Sequence, residues 1–107
     1  MGYSQRFGQD VVRAIGDRSQ RQVAQKMGVS PASISNMVMG RIPSDDVLRR
    51  LALAVGEDPT QWIRRARLYK EEVHLRGLDY LTEKAIEQIL KIMEEAEREQ
   101  QRRLGKE

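Results

Sequence analysis

The sequence lacks several features that would point to a particular kind of protein. There is no cysteine among its 107 residues, which excludes a disulfide framework and a zinc site built on thiolates. No apolar run approaches the roughly 20 residues that a membrane-spanning helix needs. The opening MGYSQRFGQD also has no apolar core of the kind that a signal peptide carries. These absences predict an intracellular, cytoplasmic protein with no membrane partner.

Residue patterns that carry catalysis or bind cofactors are missing as well. His74 is the only histidine, and it has no second ligand at metal-binding spacing. No base stands beside a nucleophile in a recognisable pattern, and there is no glycine-rich phosphate-binding loop. Asp45 and Asp46 lie where a helix is predicted to begin, and carboxylates there favour the positive end of the helix dipole. We therefore expect no enzymatic activity, no metal, no cofactor and no small-molecule ligand.

Charge is plentiful and unevenly distributed along the chain. Charged residues make up 33% of the sequence and hydrophobic residues 39%, which is typical of a small soluble protein. Residues 1–56 contain eight Lys or Arg against four Asp or Glu, a balance of +4. Residues 77–107 contain six against eight, a balance of −2. The first half is therefore the part expected to meet a polyanion.

Apolar residues recur at helical spacing throughout, and no β-branched run of period two is present. Five helices are predicted, each opening with a capping side chain or with a proline suited to the first turn: Ser4, Ser19, Ser30–Pro31, Pro43–Ser44 and Asp58–Pro59. Each is followed by a glycine that can end a helix: Gly16, Gly28, Gly40, Gly56 and Gly77. The pattern predicts an all-α fold.

The segment SQRQVAQKMGVSPASISNMVMG, residues 19–40, places two short helices around a tight turn. Ala24 must be small where the two helices cross, and Gly28 must accept the geometry of the turn. Ile34 must reach back into the junction between the helices. Because all three residues occur at the required offsets, the segment predicts a helix-turn-helix.

Residues 20–41 resemble the helix-turn-helix of the phage repressor and Cro family, often called the XRE family. The similarity continues through RIPSDDVLRRLALAVGEDPTQWI and covers roughly residues 3–69. The resemblance implies a five-helix repressor-like DNA-binding domain over residues 1–76 with an additional C-terminal helix. It also implies that the third helix, about residues 31–39, enters the major groove of double-stranded DNA.

The resemblance also indicates which side chains touch DNA. Bases are expected to meet the outward face of the third helix, which carries Pro31, Ala32, Ser33, Ser35 and Asn36. Asn36 is the strongest candidate, since a carboxamide can form two hydrogen bonds with adenine. The best-known repressors have glutamines in place of the first two residues, so those direct base contacts do not carry over. Phosphates are expected to meet Gln20, Ser30 and Arg41, with backbone amides near Gly40 and the charge of Arg21 in addition. Ser33 and Ser35 could contact either bases or phosphates.

Residues 77–107 are predicted to form a helical extension with an apolar stripe. The stripe has two interpretations, since it can pack on the chain's own domain or against its copy in a second chain. The five-helix unit looks complete, and an apolar helix face is not stable alone in water. We therefore expect dimerisation through Ile86, Ile89, Leu90, Met93 and Ala96.

Together these features predict a sequence-specific transcriptional regulator, a homodimeric repressor on a palindromic operator. One alternative is an antitoxin-like or adaptor protein whose C-terminal helix binds a different protein. Another is a protein that binds nucleic acid without sequence preference, which would show steep salt dependence and no motif.

Overall fold

The computed structural model describes residues 3–105, so residues 1–2 and 106–107 of the two predicted domains lie outside the described range. The predicted all-α fold is confirmed, because this range holds six helices and a single isolated bridge between Tyr3 and Arg41. None of these helices is both long and apolar enough to cross a lipid bilayer. In chain order they are α1 (Gln5–Ile15), α2 (Gln20–Met27), α3 (Pro31–Val38), α4 (Asp45–Val55), α5 (Pro59–Arg76) and α6 (Glu83–Gly105).

The predicted start signals of the helices are confirmed. A serine side chain caps each of the first four by accepting a hydrogen bond from the backbone N–H three residues later: Ser4, Ser19, Ser30 and Ser44. Asp58 caps α5 through the N–H of Thr60. α3 ends at Val38, slightly before Gly40, the residue at which the sequence predicts its end.

One large core joins α1 to α5. Trp62 lies at its centre, with its ring edge-on to Phe7 at 6.2 Å between centroids and its indole N–H donating to Glu57 at 2.9 Å. Trp62 therefore anchors α5 in this core. The buried residues of this core are Phe7, Val11, Ile15, Val23, Ala24, Met27, Ile34, Met37, Leu48, Leu51, Ala52, Val55, Trp62 and Ala66.

A second and smaller cluster fixes α6 on α5. Its buried members are Leu75, Ile86 and Leu90, with half-buried apolar side chains around them. Beside the connecting loop, the Arg76 guanidinium donates to both carboxylate oxygens of Glu83 at 2.6 Å. These bonds and those to Glu72 raise the pKa of Arg76. α6 therefore runs back along α5 of its own chain.

The structure corrects the role predicted for two residues of α6. The sequence assigns Ile86 and Leu90 to a dimer interface, but both are buried against α5 of the same chain. The physical reason is Leu75 of α5, which supplies an apolar surface for α6 to cover. Ile89 and Met93 are half-buried and Ala96 is exposed, so for these three dimerisation stays a prediction.

Candidate nucleic-acid interface

The turn between α2 and α3 fixes the orientation of α3. Gly28 adopts a left-handed conformation with φ 71°, and the N–H of Val29 donates to the carbonyl of Ala24 at 3.0 Å. The Arg50 guanidinium on α4 donates to the carbonyl of Met27 at 3.4 Å, at the C-terminal end of α2. α2 is therefore fixed to α4, and α3 is held by the turn and by its packing on α1 and α2, with Ile34 facing the core.

The opposite face of α3 is open to solvent. Because Ile34 and Met37 point inward, the helical repeat turns Ala32 directly outward and places Ser35 and Asn36 on either side of it. Pro31 is also exposed. This face belongs to a short helix of eight residues, and its small side chains allow close approach of a partner.

The polar side chains of this segment have different hydrogen-bond partners. The hydroxyls of Ser30 and Ser33 lie 3.1 Å apart and bond to one another, and Ser33 is half-buried. Ser35 donates to the side-chain carbonyl of Gln20 on α2 at 3.2 Å. Within residues 3–105 the carboxamide of Asn36 has no hydrogen-bond partner, so its donor and acceptor are both available.

A cleft of about 320 Å³ lies between α3 and the loop that leads to α4. Ser33, Asn36 and Arg41 contribute its polar lining, and Met37 and Pro43 are among its apolar residues. The cleft places a candidate base-reading side chain and a candidate phosphate-binding cation on one concave surface. A hydrogen bond from the N–H of Arg41 to the carbonyl of Asn36, 3.0 Å long, joins the two residues directly.

The residues predicted to contact phosphates do not all lie at the surface. Gln20, Arg21, Ser30 and Arg41 are exposed, whereas Gly40 is buried. The N–H of Gly40 donates to Met37 at 3.0 Å, and its carbonyl accepts from the N–H of Ser4 at 2.8 Å. The prediction for Gly40 is therefore wrong, because its backbone groups are used where α3 meets the start of α1.

The face around α2 and α3 is electropositive. Residues 18–44 include the four basic residues Arg18, Arg21, Lys26 and Arg41 and no acidic residue. Arg18 donates to the carbonyl of Ala14 at 3.2 Å, near the C-terminal end of α1. In the part of the chain that the structure describes, neither Arg21 nor Arg41 forms an ion pair. Their charges are therefore available to a polyanion.

A buried polar group that sequence reasoning missed joins α1 to α5. Asp10 is buried and accepts hydrogen bonds from the Arg13 guanidinium at 2.7 Å and from the Tyr69 hydroxyl at 2.5 Å. Burial, together with the bond to Asp10, raises the pKa of Tyr69 to about 12. A signal was present, since Asp10 adjoins Val11 and follows Phe7 by three residues, on the apolar side of α1.

Comparison with known proteins finds a match in the same part of the chain. A protein-family model described as helix-turn-helix matches residues 12–62, from α1 to the first turn of α5. No curated protein and no solved structure matches the chain. The matched segment includes the turn, the exposed face of α3 and the electropositive surface described above. The match over residues 12–62 therefore supports a DNA-binding helix-turn-helix of the repressor and Cro-like (XRE) type.

Proposed function

We propose that this chain is a sequence-specific transcriptional repressor of the cytoplasm that acts on nucleoid DNA. It binds a palindromic operator as a homodimer and places α3 of each copy in the major groove. In this proposal residues 1–76 bind DNA, and residues 77–107 join the two copies. The observation that carries the proposal is the exposed carboxamide of Asn36 on α3, which has no hydrogen-bond partner within residues 3–105 and lies within an electropositive face.

The proposed contacts fall into two groups. Asn36 reads a base edge, and Ala32 meets a thymine methyl group in the position where a longer side chain would hold α3 away from the bases. Pro31 and Ser33 line the same part of the groove. Phosphates are bound by Gln20, Arg21, Ser30 and Arg41, which surround α3 and set its register on the duplex.

Selection from a random DNA library tests the specificity. The protein is expected to enrich one palindromic motif and to bind it about 10³-fold or more tightly than bulk DNA. Asn36→Ala should relax the preference at one base position per half-site. Arg41→Ala should weaken binding to all sequences and reduce the salt slope by about 1. Binding without any enriched motif would contradict a sequence-specific regulator.

The proposed dimer rests on an exposed flank of α6, beside the surface that packs on α5. Ile92 is 60% exposed there, and it lies one turn or less from Ile89 and Ala96. An exposed isoleucine between two further apolar residues has apolar surface to gain from a partner. We expect the wild-type chain to have twice the monomer mass in solution.

Two glutamate variants test that interface. Ile92→Glu should give a monomer without loss of folding, because the side chain is exposed in the single chain. Leu53→Glu is the control, since Leu53 is similarly exposed but lies on α4. A wild-type monomer at all concentrations would remove the dimer, and dissociation by Leu53→Glu alone would move the interface away from α6.

A further inference from the structure

One side-chain hydrogen bond links α2 directly to α3 in the described part of the chain. Ser35 Oγ donates to Gln20 Oε1 at 3.2 Å, across 15 residues of sequence. Both residues are exposed, so the bond covers no core and satisfies no buried group. A bond of this kind contributes little to folding, but it does orient the side chain of Gln20.

The hydrogen bond to Gln20, and not the position along α3, distinguishes Ser35 from Asn36. Ala32 lies opposite the buried Ile34 and Met37, and Asn36 lies about as far to one side of that line as Ser35 lies to the other. Ser35 lies to one side of that line, and its hydroxyl points to α2 rather than away from the protein. Its only proton is already donated to Gln20.

The polarity of the bond decides which end of the Gln20 carboxamide is free. A glutamine side chain has a carbonyl oxygen that accepts and an NH₂ group that donates. With Oε1 occupied by the Ser35 hydroxyl, the group left for a partner is the NH₂. Phosphate oxygens only accept hydrogen bonds, so the free end has the polarity that phosphate requires.

The surroundings of Gln20 favour the same partner. Ser19 caps α2 by accepting from the N–H of Gln22 at 3.0 Å, and Gln22 bonds back to the N–H of Ser19 at 3.3 Å. By the geometry of a helix start, the N–H groups of Gln20 and Arg21 have no partner within the helix. The NH₂ of Gln20 therefore lies beside two further donors and the positive end of α2.

We propose that Ser35 is a positioning residue and not a base reader. Its hydroxyl holds the carbonyl oxygen of Gln20, and this presents the NH₂ of Gln20 to a DNA phosphate. The inference rests on the proposed DNA-binding function. It replaces the base contact that the sequence predicts for Ser35.

The first test is Ser35→Ala in the full chain, measured on the DNA motif that the wild-type protein selects. Affinity should fall about fivefold, the equivalent of about 1 kcal/mol for one hydrogen bond. The selected motif should be unchanged, and the salt slope should be unchanged because no charge is removed. Ser35→Thr retains a hydroxyl and should recover most of the affinity. Alanine favours helix, so the variant folds, which thermal melting verifies.

A double-mutant cycle separates positioning from base reading. In a Gln20→Ala background, Ser35→Ala should have no further effect, because the group that Ser35 orients is gone. Ser33→Ala is the matched control, since it removes the same hydroxyl from α3 at a residue bonded to Ser30 instead. Its effect, whatever its size, should be equal in both backgrounds.

Each result decides the proposal. An undiminished effect of Ser35→Ala in the Gln20→Ala background, or a changed base preference at one position, would establish Ser35 as a base reader and overturn the inference. Wild-type affinity of Ser35→Ala would overturn it as well. Neither result would contradict the proposed DNA-binding function. A wild-type protein that binds no DNA would overturn both the proposed function and the positioning role of Ser35.

Discussion

Two clusters of buried side chains hold this chain together, and they differ in size and in chemistry. The cluster shared by α1 to α5 contains fourteen buried apolar residues, including Trp62 and Phe7. The cluster between α5 and α6 contains only Leu75, Ile86 and Leu90, supported at its two ends by ion pairs from Arg76 and Arg64. Apolar burial therefore stabilises the first far more than the second.

The difference indicates that α3 and α6 are held with different rigidity. In the proposed function α3 reads DNA and must be presented rigidly. It is fixed by Ile34 and Met37, by the turn and by its packing on α1. α6 is fixed by few apolar contacts and by surface ion pairs, each of which contributes little. We expect α6 to open at a lower free energy than the helices that present α3.

The largest effect is expected in the rigid part, at the contact between α1 and α3. Gly40 has φ 109°, and a Cβ there would lie 2.5 Å from the carbonyl oxygen of Ser4. Gly40→Ala should lower the free energy of unfolding by roughly 3–5 kcal/mol, from backbone strain and overpacking together. Gly56→Ala is the control, with φ 76° and open space around it, and should cost about 1–2 kcal/mol. Urea unfolding of both measures the difference, and equal losses would contradict a close contact at Gly40.

A smaller and local effect is expected in the cluster under α6. Leu90→Ala should release α6 at a cost of roughly 1–3 kcal/mol while α1 to α5 stay folded, because the removed side chain is one of three buried there. Hydrogen exchange should show faster exchange in α6 and unchanged exchange in α3. Ile92→Ala, on the exposed side of α6, is the control. Unfolding of the whole chain as one unit in Leu90→Ala would show that the two clusters are not independent.

The smallest effect concerns the polar contact between α1 and α5. Tyr69→Phe should cost about 1–2 kcal/mol, since it removes one donor from the buried Asp10 and leaves Arg13 and Arg65 in place. The folded-state pKa of Tyr69 is raised from 10.0 to about 12, so this stabilisation is complete below pH 10. It should decline as pH rises from 10 towards 12. The free energy of unfolding of the wild type and of Tyr69→Phe should be measured at each pH. The difference between the two should become smaller between pH 10 and pH 12, and a constant difference would contradict the bond.

The helices and the turn could be predicted because their causes are local. Capping serines satisfy N–H groups three residues away, and Gly28 accepts a left-handed conformation that depends only on its own backbone. The face of α3 that carries Asn36 could be inferred as well. Helical periodicity fixes which side is apolar once Ile34 is assigned to the core.

Other features could not be predicted because their partners are distant in sequence. Gly8 lies inside α1 with no local reason for a glycine, but a Cβ there would collide with the carbonyl oxygen of Val38. The backbone amide of Gly40 is predicted to contact a phosphate, yet the packing of α1 on α3 buries this residue. The bond between Ser35 and Gln20 likewise depends on how two helices cross.

The order of the residues alone determined the six helices, the turn and the side of α3 that faces outward, because these follow from neighbours within a few positions. Tertiary structure decided that α6 lies against Leu75 of its own chain, that Gly40 is enclosed and that Ser35 bonds to α2. Those outcomes depend on which surfaces meet after the helices have formed. Spacing along the chain cannot specify a distance between atoms that only packing brings together.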